Sequence, residues 1–298
     1  MSRFLKEPQT DKTSEAHVEA SLGLTIGASS MQGWRESMED AEMVDTKLPG
    51  LANVALLAIF DGHGGDFIAK ETYVYLSNKY QIVSTDDYNA YDGTNPYALV
   101  SALSEAFLRT DDALREAHAD GTADEVGATG LVVLVTKYHI ISANVGDSRC
   151  ILSDKSGHVP IQMSLDHKPD HEAEKLRILA AGGTVFRGRV CGGVAVSRGF
   201  GDFWFKRNED NNPDKKPWEH FVIAEPCVNI HVRTRDDEFL VLGCDGIYDV
   251  MSNEQIQKFT RDKLASGKSP TAVAELLMDE CLHKGSRDNM SVVVALLT

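Results

Sequence analysis

Cysteine is scarce in this sequence, and each one stands alone. Five cysteines, at 150, 191, 227, 244 and 281, are spread over 298 residues with no Cys-x-x-Cys. An odd, unspaced set gives no disulfide framework and points to a reducing compartment, and a thiolate zinc site lacks its usual spacing. Long apolar runs are also missing. Nothing approaches the ~18 residues of a membrane span, and the opening MSRFLKEPQTDKTSE has no apolar segment of a signal peptide. Ser2 stands where N-myristoylation requires glycine. Positive charge is in deficit: the formal net charge is −15, which disfavours a nucleic-acid backbone as partner. The ten histidines never form His-Glu-x-x-His, and Gly127–Gly130 is too short for a P-loop and lacks its lysine. The expectation is a monomer of the cytoplasm and/or nucleus, with no stable membrane insertion and no nucleic-acid partner.

Hydrophobic residues make up 42% and charged residues 25%, enough for a large core. Residues 1–20 are polar and unpatterned and read as a flexible tail. Residues 21–298 contain no dividing linker and read as a single domain. Strand patterns fall at 22–28, 41–46, 53–60, 130–136, 139–145, 150–153, 221–232, 238–244 and 290–297, with short strands within 184–198. Helical spacing covers 64–80, 97–119 and 170–181, the last with Asp170 as its cap. Ser252 and Gln255 form a capping box, and Ser269-Pro270 opens a further helix. Gly33–Asp40 reads as a loop, and so do the polar stretches 83–96 and 206–217. Strands in runs, rather than in strict alternation with helices, favour an α+β fold of antiparallel sheets covered by helices.

The chain is organised around LLAIFDGHGG, residues 56–65. An apolar run stops at Asp61 and glycines follow. FLVLGCDG at 239–246 repeats the arrangement at Asp245. Asp-Gly is also a hairpin signal, and Asp92-Gly93 and Asp120-Gly121 sit in polar surroundings as ordinary turns. Asp147 follows the run HIISANVG and Asp288 precedes NMSVVVALL. Acids at four strand ends can converge on one sheet edge. Together they need a compensating cation, and hard oxygen donors suit Mg²⁺ or Mn²⁺. Glu39 and Asp40 add two candidates from the preceding loop. Cys227–Arg233 has the Cys-x5-Arg spacing of thiol phosphatases but no glycines to wrap a phosphate, and it alternates like a strand. Asp61-Gly62-His63 is not an Asp-x-Asp pair, so an aspartyl nucleophile is not suggested.

GWRESMEDA, FDGHGG, GAT, ANVGDSR, DHKP, AVSRGFGD, CDGIYDVM and SRDNMSVVV follow one another in an order that resembles the metal-dependent protein phosphatases, the type 2C serine/threonine phosphatases. The resemblance runs from about Leu22 to Leu297. It implies a four-layer α/β/β/α sandwich, two antiparallel sheets face to face with helices on both outer faces, and a two-metal centre at one end. It implies Asp61 as the bridging ligand and Gly62 as a carbonyl ligand, with Asp245 and Asp288 on the other metal. Glu39 is similar to a direct or outer partner of the first metal, and Asp40 to an acid acting through metal-bound water. Asp147, with Asp245 and Asp249, resembles a weaker third-metal site. Arg35 is similar to the phosphate-binding arginine and His63 to the general acid. The implied activity is hydrolysis of phosphoserine and phosphothreonine in proteins by a metal-activated water, with no covalent phosphoenzyme. Residues 167–198 correspond to a mobile flap. Gly199-Phe200 departs from the family's usual Ala-Leu, which bears on substrate preference rather than on chemistry.

Overall fold

Runs of Val, Ile and Leu form the long strands, as β-branched and aliphatic residues do on a pleated surface. The computed structural model describes residues 4–48, 53–77, 93–207 and 216–298. Strands are numbered in chain order. One sheet contains, in spatial order, β1 (Phe4–Glu19), β2 (Leu24–Arg35), β16 (Met290–Leu297), β15 (Asp237–Gly243), β9 (Arg149–Asp154) and β10 (Ile161–Gln162). The other contains β14 (Cys227–Val232), β8 (His139–Val145), β7 (Gly130–Thr136), β4 (Val54–Phe60) and β3 (Ala41–Asp45). Neighbouring strands are antiparallel throughout. Three short pieces, β5 (Gly62–His63), β6 (Gly127–Ala128) and β13 (Phe200–Gly201), make a small sheet beside them, and β11 (Val185–Phe186) pairs with β12 (Arg189–Val190).

Strand periodicity divides the core. Ala55, Leu57 and Ile59 of β4 join Leu131, Val133 and Val135 of β7 in one buried cluster with Ile26, Ala28, Val241 and Val293 of the six-stranded sheet. The alternate residues, Leu56, Ala58, Phe60, Val132 and Leu134, pack in a second cluster with Leu99, Leu103 and Phe107. Those three lie on α2 (Pro96–Ala117), which packs beside α1 (Phe67–Ser77). A short α3 (Glu172–Ala180) lies by the β11–β12 hairpin. On the six-stranded sheet lie α4 (Asp245–Tyr248), α5 (Asn253–Ala265) and α6 (Pro270–His283). A Cβ on Gly27 would stand 2.0 Å from the backbone nitrogen of Thr271, so glycine lets the first turn of α6 rest directly on β2. The layers are helix, sheet, sheet, helix, as expected.

The structure corrects several readings. The expected flexible tail, residues 1–20, is strand β1 from Phe4 to Glu19, in register with β2 from Lys12↔Met31 to Glu19↔Leu24. Most of its side chains are exposed, so the backbone ladder holds it and no apolar alternation announces it. Gly33, Trp34 and Arg35 complete β2 instead of opening a loop. Helix α1 begins at Phe67 because Gly64 and Gly65, at φ +75° and +153°, do not continue a helix. His171, not Asp170, is the N-cap of α3. Lys206, read as the start of a solvated loop, is buried and donates to Asp111 Oδ1 at 2.7 Å and to Gly199 O at 2.8 Å. Most of that loop (208–215), like 78–92, lies outside the described residues. The Ser252–Gln255 capping box forms as read.

Candidate metal centre

Antiparallel pairing decides where the acids go. Ala41 pairs with Phe60, Ile59 with Leu131, and Gly130 with Val145. That register places Asp40, Asp61 and Asp147 just beyond one end of the five-stranded sheet. Gly243 pairs with Val292 and Met31 with Met290, which places Asp245, Asp288 and Arg35 at one end of the six-stranded sheet. The two ends meet. Carboxylate oxygens of Asp61, Asp147 and Asp245 lie within 4.8 Å of one another, and so do those of Asp40 and Asp61 with the Cys244 sulfur. Asp61 belongs to both groups.

Crowding of this kind disfavours ionisation. Burial, then the charges of Asp245, Asp40, Asp147 and Asp288, push the Asp61 carboxyl well above its ordinary range. Burial and the charges of Asp147, Asp288 and Asp249 do the same to Asp245. Asp40 rises to about 7, mainly through burial, although Ser291 Oγ donates to its Oδ2 at 2.9 Å. Buried carboxylates without enough positive charge need a cation. An oxygen-rich set with no histidine in either group fits Mg²⁺ or Mn²⁺.

Some of that charge is internal. Lys168 forms an ion pair with Asp147. Arg35 Nη2 lies 2.5 Å from Asp288 Oδ2, so Asp288 is engaged by the arginine and stands outside both groups. Glu39 also stands outside them, with its Oε1 accepting from Ser37 Oγ at 2.8 Å.

The two glycines that follow the strand-end acids serve backbone packing. A Cβ on Gly62 would come within 2.3 Å of Glu39 O, and one on Gly246 within 2.1 Å of Asn289 O. Neither has a positive φ, whereas Gly93 and Gly121 stand at φ +92° and +86°. The hairpin alternative therefore fails at Gly62 and Gly246, and a left-handed backbone marks Gly93 and Gly121 instead.

Three supporting residues escaped the sequence reading. Asn289 Oδ1 accepts from Glu39 N at 2.9 Å, and its Nδ2 donates to Gln32 O and Ser37 O at 2.8 and 2.9 Å, which ties the loop of Glu39 and Asp40 to β16. Thr129 Oγ1 accepts from Asp61 N at 3.1 Å and Thr129 N donates to Asp61 O at 2.8 Å, fixing the backbone of Asp61. Asp202, almost fully buried at φ +52°, holds His63 Nε2 at 2.8 Å. A Cβ on Gly127 would stand 2.4 Å from Asp202 Oδ2 and 2.7 Å from His63 Nε2, so glycine makes room for the pair. Burial opposes charge on His63, but the charge and hydrogen bond of Asp202, then Asp147 and Glu39, raise its pKa above the ordinary value. The signal for Asp202 was present: Gly201-Asp202 repeats the Gly-Asp of 146–147. Beside it, the unusual Phe200 is accommodated. Its ring lies 5.1 Å from that of Phe107 and fills the space where Gly130 has no side chain.

Fold and rim together define a cation-dependent hydrolytic centre at the end of a double-sheet sandwich. Residues 24–290 match the family model Protein phosphatase 2C, and the chain belongs to that family. It is 39% identical over 302 residues to Protein phosphatase 1B of Mus musculus, spanning 99% of this chain and 75% of that protein. It is 41% identical to Protein phosphatase 2C homolog 3 of Schizosaccharomyces pombe over 309 residues, spanning 100% and 70%. The fold is similar to the crystal structure of serine-threonine phosphatase 2C from Toxoplasma gondii, with a TM-score of 0.79 at 20% identity over 99% of this chain and 98% of that one. The protein is a Mg²⁺/Mn²⁺-dependent serine/threonine protein phosphatase, and its substrates are phosphorylated proteins. No helix among the described residues is long and apolar enough to cross a membrane.

Proposed function

We propose that Asp61, the Gly62 carbonyl, Asp245 and Asp288 would hold the two cations of the phosphatase, with Asp61 the ligand common to both. Glu39 and Asp40 would support the first ion, directly or through water, and Asp147 with Asp245 and Asp249 would hold a weaker third. The observation that carries this reading is the convergence of Asp61, Asp147 and Asp245 within 4.8 Å, with Asp61 shared by the second group. When bound, the ions supply an acidified water and screen the phosphoryl oxygens.

The chain's own residues do the rest. Arg35 orients the phosphate. One of its terminal nitrogens, Nη2, is on Asp288, and the side chain is 42% exposed, so the guanidinium can still present donors to a phosphate oxygen. His63 protonates the departing serine or threonine oxygen. Asp202 occupies Nε2, which leaves Nδ1 as the nitrogen for substrate. Water attacks phosphorus directly. Cys244, the cysteine at the centre, is fully buried and so out of reach of a substrate phosphate, which supports a route without a covalent phosphoenzyme.

Residues 21–298 act as one catalytic domain, to which β1 adds an edge strand. Lys6, Glu7 and Pro8 on that edge discourage pairing between copies, consistent with a monomer. Free cysteines are consistent with the cytoplasm and/or nucleus. Hydrolysis of a phosphothreonine peptide with Mn²⁺, with and without EDTA, tests the mechanism. Turnover should vanish with EDTA and return with excess Mn²⁺. Metal-independent turnover contradicts it.

A further inference from the structure

We infer that Arg287 is a subsite for a carboxylate side chain flanking the phosphoresidue of the protein substrate, an inference that rests on the phosphatase reading above. Its guanidinium carbon lies 4.0 Å from the centroid of the Phe4 ring and 5.6 Å from that of Trp34. The side chain is thus held by two aromatic rings from the neighbouring strands β1 and β2. These rings neighbour the residues that border the centre: Phe4 is in register with Arg35, Trp34 precedes it, Arg35 is bound to Asp288, and Asp288 follows Arg287 in the chain. Arg287 is nevertheless exposed. Among the described residues it forms no ion pair, whereas Arg35 is tied to Asp288.

A guanidinium stacked on aromatic faces keeps its in-plane N–H groups available, and those donors match a carboxylate in fork geometry. The stack also removes rotamer freedom before any ligand arrives, which reduces the ordering cost on binding. The surroundings give such a charge a use. The chain carries −15 and its rim gathers acids, so an acidic peptide is repelled on approach unless a fixed cation meets it. Arg35 serves the phosphoryl group. Arg287 offers a second, separate positive group beside it, and lysine in its place would lose the planar stacking and the fork.

The test compares two phosphothreonine peptides that differ only in glutamate or alanine on either side of the phosphoresidue. The wild-type protein with Mn²⁺ should favour the glutamate peptide by about tenfold in kcat/KM, carried by KM, which is about 1.4 kcal/mol. Arg287→Ala should bring the ratio close to one, Arg287→Lys should restore it only in part, and Phe4→Ala should reduce it by about threefold. Raising the salt concentration should also shrink the ratio, since the contact is exposed. Equilibrium binding of both peptides, fluorescently labelled, to inactive Asp61→Asn should give the same preference and the same dependence on Arg287. An unchanged ratio in Arg287→Ala, or a loss shared equally by both peptides, overturns the subsite. Absence of metal-dependent turnover with either peptide would overturn the mechanism, while the binding comparison would still decide the fate of Arg287.

Discussion

Asp61 and Glu174 are both withdrawn from solvent, and their surroundings are opposite. Asp61 is surrounded by other acids, which with burial drive its carboxyl upward. Burial would raise Glu174 as well, but Arg198 and Arg177, with Ser197 Oγ at 2.8 Å, hold it at about 2. Its oxygens lie 2.6 Å from Arg198 Nη2 and 3.0 Å from Arg177 Nη2. Those arginines also donate to the carbonyls of Ser197, His220, Phe221 and Glu225. Glu174 has its cations built in, and so it fastens the α3 segment to the body. Asp61 and its neighbours have too few, and so the rim waits for ions from outside. A buried acid that the chain itself has neutralised is structural, and a set left without enough countercharge is where ligands enter.

The contrast can be broken from either side. Asp61→Ala and Asp245→Ala should each lower kcat/KM by about 10³-fold or more while the metal-free protein melts no lower than wild type, because each removes a repelled charge. Melting well below wild type would mean that these acids hold the fold. Glu174→Gln should do the reverse, costing about 3 kcal/mol of stability by leaving two arginines half-paired, with turnover retained at temperatures where the variant is folded. The pH dependence has a definite sign. The folded pKa of Glu174, about 2, lies below its ordinary 4.5, so its stabilisation is complete above about pH 4.5 and disappears as the pH falls toward 2. Urea unfolding of wild type and Glu174→Gln should converge across that window. A constant gap down to pH 2 would show that the arginines matter only through packing.

How much of this was legible follows from which signals are local. An apolar run ending in an acid marks Asp61, Asp147 and Asp245, because the strand and the acid that ends it are adjacent in the chain. Asn289 and Asp202 act on Glu39 and His63 from 250 and 139 positions away, and nothing local announces such a partner. Strand β1 was missed because an edge strand is held by its ladder and carries exposed polar residues. Lys206 was misread because its pairing with Asp111 reaches across 95 positions. The Asp-Gly pairs look alike as dipeptides. Their glycines differ in φ and in what stands beside them, and neither is visible in the dipeptide.

Smaller effects sharpen that last distinction. Gly62→Ala and Gly246→Ala should each cost about 2 kcal/mol from forced contact with a neighbouring carbonyl, and should reduce turnover by displacing Glu39 or Asn289. Gly121→Ala, at φ +86°, should cost about 1 kcal/mol through backbone strain and leave turnover unchanged. Equal behaviour of the three variants in thermal melts and assays would remove the division between rim glycines and turn glycines.

On the proposed mechanism, Asp61 gathers cations shared between the two sheets. Calorimetric titration of Mn²⁺ into the metal-free wild type and into Asp61→Asn tests it without any assay of turnover. At least two ions should bind the wild type, with a loss of both affinity and stoichiometry in the variant. Superimposable isotherms would contradict it.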